Sequence, residues 1–261
     1  MSPVGSSVGV LSQALAEKKS LMSAWCSLPD PTIAGILARE DFDCVILDMQ
    51  HGLLDYAGVA AAIPLVAAAG KPAIARVPVG DFATASRFLD IGAAGIIAPM
   101  INTIEDARRF ASFMKYPPMG ERSWGPHGVI TLSGMNPGDY FSKANGMSVS
   151  LAMIETREAL HIIDDILAVA GIDGIFVGPA DLSIALSGGA RVDAHGTEVD
   201  EALAHCLARA RAAGKFVGVF AIDGERANTL IERGFDLVSL GTDTTLLRAG
   251  AQAAIKVMRG G

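Results

Sequence analysis

From about residue 23 to the C-terminus, short apolar runs rich in Val and Ile alternate with Ala-rich stretches whose apolar positions recur at helical spacing. The runs predict strands over 23–28, 44–50, 72–77, 95–101, 149–155, 174–178, 216–222 and 237–241. The stretches between and after them predict helices over 32–39, 59–69, 83–91, 104–116, 158–170, 198–213, 224–233 and 244–258. Breakers separate the units, as in Ala69-Gly70-Lys71-Pro72 and Ala213-Gly214-Lys215. The strands are apolar throughout rather than alternating, which is the mark of a parallel sheet covered on both faces. Eight strand-and-helix units are the count of a (β/α)8 barrel, and a single such domain over residues 1–261 is expected. An open doubly wound sheet is the alternative. No GxGxxG turn follows the first strand and no shift of composition marks a second domain, so the barrel is preferred.

One connection breaks the short-loop rule. Residues 117–146 carry Pro117-Pro118, Gly120, Gly125-Pro126, Gly134 and Pro137-Gly138 together with Arg122, Trp124 and His127. Segments of that length usually carry function. A lid or substrate wall on the active face is expected, with Trp124 among its candidate contacts.

Composition narrows the class. The 261 residues are 51% hydrophobic, yet Gly, Pro or charge interrupts every apolar stretch before it could cross a bilayer, which takes roughly 20 residues. The net charge of -7 is spread without a basic block, which argues against nucleic acid as a partner. Cys26, Cys44 and Cys206 are few, odd in number and far apart, so neither a disulfide framework nor a CxxC metal site is available. With no secretory pattern at the N-terminus, a cytoplasmic location is expected.

The chemistry gathers at strand ends, where barrels of this kind place their active sites. The second strand closes on Leu47-Asp48-Met49-Gln50-His51-Gly52, an acid three residues from a histidine. His is the usual proton-transfer group near neutral pH, and a neighbouring carboxylate can orient it. The third closes on Ala75-Arg76-Val77-Pro78. A buried Arg needs an anionic partner, so Arg76 is a tie to Asp48 or Glu155, a holder of a developing oxyanion, or both. The fifth and sixth strands end in Ile154-Glu155 and Val177-Gly178-Pro179-Ala180-Asp181. Two hard carboxylates with no thiolate and no HxxxH pattern suit Mg²⁺, Mn²⁺ or Co²⁺, with helix capping as the plainer alternative. Lysine placement bears on mechanism. Lys71 and Lys215 precede strands while Lys115 and Lys143 flank the long segment, so carbonyl activation by a metal is favoured over an imine.

Taken in order, Ile46-Leu47-Asp48-Met49-Gln50-His51-Gly52, Ala75-Arg76-Val77-Pro78, the stretch from Leu89-Asp90 to Pro99-Met100, Ile154-Glu155-Thr156-Arg157-Glu158 and Val177-Gly178-Pro179-Ala180-Asp181-Leu182-Ser183 resemble the HpcH/HpaI aldolases. The resemblance covers nearly the whole chain from Ser23. It implies a class II, divalent-metal-dependent aldolase that joins pyruvate, or a related 2-keto acid such as hydroxypyruvate, to an aldehyde, with no organic cofactor. It implies that Glu155 and Asp181 ligate the metal, that His51 is the base, and that Arg76 contacts the keto oxygen. Asp48 and Asp90 would support the base or its water, Asp90 from a neighbouring subunit. Backbone amides of the Gly178, Pro179, Ala180 and Asp181 stretch would hold the substrate carboxylate. A homo-hexamer built from dimers that exchange the last helix, here 244–258, is also implied. Met153 departs from the pattern, standing where many sugar-acid members carry Gln, and Trp124 has no assigned counterpart. Two rival readings are a Mg²⁺-dependent acyl-CoA lyase, which lacks its basic adenine-binding surface here, and a non-catalytic keto-acid binder, which has no need of a base.

Overall fold

The computed structural model describes residues 7–17 and 19–260. Eight parallel strands close into a barrel in chain order: β1 (Leu21–Cys26), β2 (Cys44–Asp48), β3 (Ala73–Arg76), β4 (Gly95–Ala98), β5 (Val149–Ile154), β6 (Gly174–Val177), β7 (Phe216–Ala221) and β8 (Leu237–Leu240). Side chains alternate between two cores, as the two-residue period of a strand requires. Val45, Leu47, Ala75 and Val177 face the surrounding helices. Ile46, Ile74, Ile97, Met153 and Phe176 fill the barrel interior.

That alternation places the chemistry. Asp48, Arg76, Glu155 and Gly178 each stand two residues beyond an inward-facing residue (Ile46, Ile74, Met153 and Phe176), so each points into the C-terminal mouth. Most of the helices that follow the strands start on side-chain caps, among them Asp30, Asp55, Asp81, Thr103 and Thr156. The opposite mouth is filled from below. Leu11 and Leu15 of the helix Val10–Ala16, an element the sequence pattern did not predict, join the interior cluster beside Leu21, Val149 and Leu237 near the strand starts.

The expected helix over 158–170 is two helices, Arg157–His161 and Ile163–Ala168, broken at Ile162, and a further helix, Pro179–Leu186, begins directly after β6. A larger correction concerns residues 117–146. They hold two helices, His127–Ser133 and Pro137–Met147, and they lie at the N-terminal mouth, not on the active face of their own barrel. The reason is topological: the segment leaves the helix Ile104–Met114, which has already carried the chain back from the end of β4, and it leads into the start of β5.

Lys115 anchors this region. It is fully buried, and its Nζ donates to the carbonyls of Asn145 (2.8 Å) and Ser148 (2.7 Å) and to Asp173 Oδ2 (2.7 Å). Burial pushes its pKa down, with Asp173 opposing that shift. Lys115→Met removes one partner of a buried pair and is expected to lower stability by about 3 kcal/mol, read from urea unfolding. Cys26, Cys44 and Cys206 are buried thiols whose pKa values burial pushes upward, the opposite of what activates a nucleophilic cysteine. Among the described residues, no helix is long and apolar enough to cross a membrane.

Candidate active site

The C-terminal mouth opens into a cavity of about 270 Å³ lined by Trp25, Ser27, Asp48, His51, Arg76, Met153, Phe176, Gly178, Pro179, Ala180, Asp181, Phe220 and Thr242. Its floor is aromatic: Trp25 packs against Phe176 (centroids 5.8 Å) and edge-on against Phe220 (5.3 Å). Its walls carry the charges.

Asp48 and Arg76 are register partners on β2 and β3, so their side chains rise side by side. They form a fork: Arg76 Nε donates to Asp48 Oδ1 (2.9 Å) and Nη2 to Oδ2 (2.7 Å). The pair is almost fully buried. Trp25 closes around it, its Nε1 donating to Asp48 Oδ2 (3.3 Å) and its ring lying 4.7 Å from Arg76 Cζ. Burial opposes the Asp48 charge, but the Arg76 fork and the backbone NH groups of His51 and Gln50 outweigh it and hold the carboxyl below its usual range. Of the alternatives for Arg76, the tie to Asp48 is what the structure shows. Two of the three guanidinium nitrogens are occupied by it, and Nη1 bonds to no protein group among the described residues.

Asp48 also shapes the turn that carries His51, by accepting from the backbone NH groups of Gln50 (3.0 Å) and His51 (3.3 Å). The expected acid-to-imidazole contact is therefore replaced by an acid-to-backbone contact. Asp48 fixes where the residue sits and leaves its exposed ring unbonded on the rim. Gly52 completes the turn, since a Cβ there would run into the Asp48 carbonyl.

Glu155 is buried at the end of β5. Its Oε1 accepts from the Met100 backbone NH (2.7 Å), whereas Oε2 is buried with no partner among the described residues. Burial raises its pKa, with the nearby Asp181 charge adding to the effect. Asp181 lies in the first turn of the helix Pro179–Leu186, whose N-terminus has no side-chain cap. Two carboxylates, one of them with an unpartnered buried oxygen, form an acceptor-only, hard-oxygen set that suits a divalent cation of the Mg²⁺ kind. No group of three or more His, Cys, Asp or Glu gathers at one point among the described residues. Such an ion would therefore take most of its ligands from water or substrate.

Asp90 and Trp124 lie elsewhere. Asp90, at the end of the helix Phe82–Ile91, accepts from Arg122 Nη2 (2.7 Å) at the N-terminal mouth. Trp124 packs nearby against Tyr116 (5.6 Å) and Phe141 (5.6 Å) and is 49% exposed. Neither reaches the cavity of its own chain. Conversely, Trp25 and Met100 touch the charged groups and were not singled out in the sequence. An aromatic residue in an otherwise small-residue strand, Ser23-Ala24-Trp25-Cys26, was the available signal for the first. A backbone amide leaves none.

A family model matches the chain over the barrel that carries these groups. The HpcH/HpaI aldolase/citrate lyase model aligns with residues 21–249, the whole barrel with the groups of its mouth. The chain belongs to the HpcH/HpaI aldolase/citrate lyase family. It is 42% identical over 239 residues to a hydroxypyruvate/pyruvate aldolase of Rhizorhabdus wittichii, covering 92% of this chain and 94% of that one. It is also 32% identical over 234 residues to a 2-keto-3-deoxy-L-rhamnonate aldolase of Salmonella gallinarum, covering 90% and 87%. Among solved structures, an HpcH/HpaI aldolase from Desulfitobacterium hafniense superposes with a TM-score of 0.87 at 28% identity, over 95% of this chain and 96% of that one. Like its family, the protein is a carbon–carbon lyase.

Proposed function

We propose that this HpcH/HpaI member is a class II aldolase that joins pyruvate, or a close 2-keto acid such as hydroxypyruvate, to an aldehyde and cleaves the product in reverse. The observation that carries this reading is Glu155 Oε2, a buried carboxylate oxygen without a partner, on the strand next to the helix that bears Asp181. Those two side chains would hold a divalent cation, Mg²⁺, Mn²⁺ or Co²⁺. When bound, it would polarise the keto carbonyl and acidify the adjoining C–H. The similarity to the Rhizorhabdus enzyme supports the choice of keto acid.

The chain's own groups divide the rest of the work. Amides of Ala180 and Asp181, at the uncapped start of Pro179–Leu186, suit the substrate carboxylate. Arg76 Nη1, held in place by the fork to Asp48, stabilises the oxygen that gains charge. The His51 ring, free of protein partners, removes the C3 proton in the synthetic direction and the 4-hydroxyl proton in cleavage. His51→Ala is expected to slow turnover about 10³-fold while leaving Mn²⁺ binding unchanged, measured by steady-state kinetics and titration calorimetry. Unaltered turnover would transfer the base role to another group.

A homo-oligomer, expected as a hexamer of three dimers, belongs to the same proposal. Asp243 anchors the first turn of the last helix, Asp243–Met258, by accepting from the backbone of Ser27 and Leu28 (2.9 Å each). Beyond it Leu247, 67% exposed, lines an apolar groove with Ile33, Ile36 and Leu246, and Val257 and Met258 at the far end of the helix are each 78% exposed. Exchange of this helix between copies would cover both. Because Asp90 lies far from its own cavity, its supporting role is proposed toward a neighbour's. An aldehyde panel assayed with pyruvate and with hydroxypyruvate, before and after EDTA, tests the activity. Product formation that EDTA abolishes and Mn²⁺ or Mg²⁺ restores is expected. Turnover that survives complete metal removal would overturn the reading.

A further inference from the structure

Met100 is set apart by its backbone. Among the described residues it is the one non-glycine residue with φ in the left-handed region, at 54°. L-residues avoid that region because Cβ crowds the backbone, so they persist there only where the surroundings demand it. Here two demands meet on one residue. The Met100 N–H points into the barrel mouth and donates to Glu155 Oε1 (2.7 Å), while the next residue, Ile101, is fully buried in the outer core between barrel and helices. Rotation about the Met100 N–Cα bond reconciles an inward amide with an outward chain. An ordinary negative φ would keep Ile101 in place only by turning the amide away from Glu155.

We infer that Met100 is a positioning residue whose left-handed backbone decides which oxygen of Glu155 is presented to the cation. The amide claims Oε1 and leaves Oε2 buried and open. Without it the carboxylate could rotate about its last bond and offer either oxygen. This inference rests on the cation-site reading above and adds to it that the carboxylate is aimed by a strained peptide just beyond the neighbouring strand β4, not by a side chain.

Two substitutions isolate the backbone. Met100→Gly and Met100→Val both remove the thioether side chain, but glycine accepts the left-handed region freely and a β-branched residue resists it. The measurement is Mn²⁺ binding to the full-length protein by titration calorimetry, with circular dichroism to confirm folding. Met100→Gly is expected to bind Mn²⁺ within about twofold of the unaltered protein. Met100→Val is expected to bind about tenfold more weakly, the usual consequence of losing a group that orients a metal ligand. If Met100→Val does not fold, Met100→Ala takes its place, with a loss of affinity between the other two. A folded Met100→Val (or Met100→Ala) protein that binds Mn²⁺ as tightly as Met100→Gly would overturn the inference. Glu155→Gln serves as the control that separates the two claims. If it fails to weaken Mn²⁺ binding, the cation-site reading itself is wrong. If it does weaken binding while the Val and Gly variants match, only the role of Met100 is lost.

Discussion

Arg76→Lys is expected to lower kcat/KM about 10³-fold, although it conserves charge. Nε and Nη2 of the guanidinium close on both oxygens of Asp48, and in the proposed site Nη1 would serve the substrate. A lysine ammonium is a single point on a flexible stem. If it pairs with Asp48 it abandons the developing oxyanion, and if it reaches the oxyanion it leaves a buried carboxylate half-satisfied. The Trp25 indole, 4.7 Å from Arg76 Cζ, also loses the flat cation it stacks on. Stability should fall as well, because an imperfectly paired charge remains inside the barrel. Arg76→Met, which removes the charge outright, should cost about 3 kcal/mol or more. Steady-state kinetics and urea unfolding of both variants provide the check. A lysine variant with near-normal kcat/KM would show that Nη1 does not meet the reacting oxygen.

Gly178→Ala is expected to produce the second large effect, a loss of about 10²-fold in metal affinity with little change in fold. Gly178 has φ of -99°, an ordinary value, so its backbone does not require glycine. Space does. A Cβ at this position would stand 2.7 Å from Glu155 Oε2 and 3.1 Å from Met153 Cε. Met153 can move its terminal methyl, but Glu155 is tied at Oε1 and can yield only by swinging Oε2 out of place. One added methyl group thus strikes the atom assigned to the cation. Calorimetric Mn²⁺ titration and thermal melts separate the two consequences, and an alanine variant with unaltered affinity would remove Oε2 from the proposed site.

Much of this site was legible because strand alternation is rigid. Once Ile46, Ile74 and Met153 are read as inward-facing, Asp48, Arg76 and Glu155 must enter the same mouth two residues later. The pairing of Asp48 with Arg76 was foreseen as one alternative, and only register decides it over Glu155. What escaped depends on relations that residue types do not encode. Trp124 looked like a site residue by type, but the segment 117–146 leaves a helix and not a strand, which sends it to the opposite mouth, where Asp90 also lies at the end of its own helix. Met100 acts through its amide and its φ, and any residue type has an amide. Lys115 proved to be a buried clamp because Asp173, Asn145 and Ser148 converge on it from distant parts of the chain. The break at Ile162 is a local response to packing and carries no strong stop signal.

A cation held by the proposed Glu155 and Asp181 pair would make the C3 protons of a 2-keto acid labile. Exchange of the pyruvate methyl protons with D₂O, followed by NMR on the protein alone without any aldehyde, reports that step directly. Exchange is predicted to cease when the protein is stripped with EDTA, to return on addition of Mg²⁺, and to stay absent in Glu155→Ala with Mg²⁺ present. Exchange that continues at its full rate in the stripped protein would contradict the account.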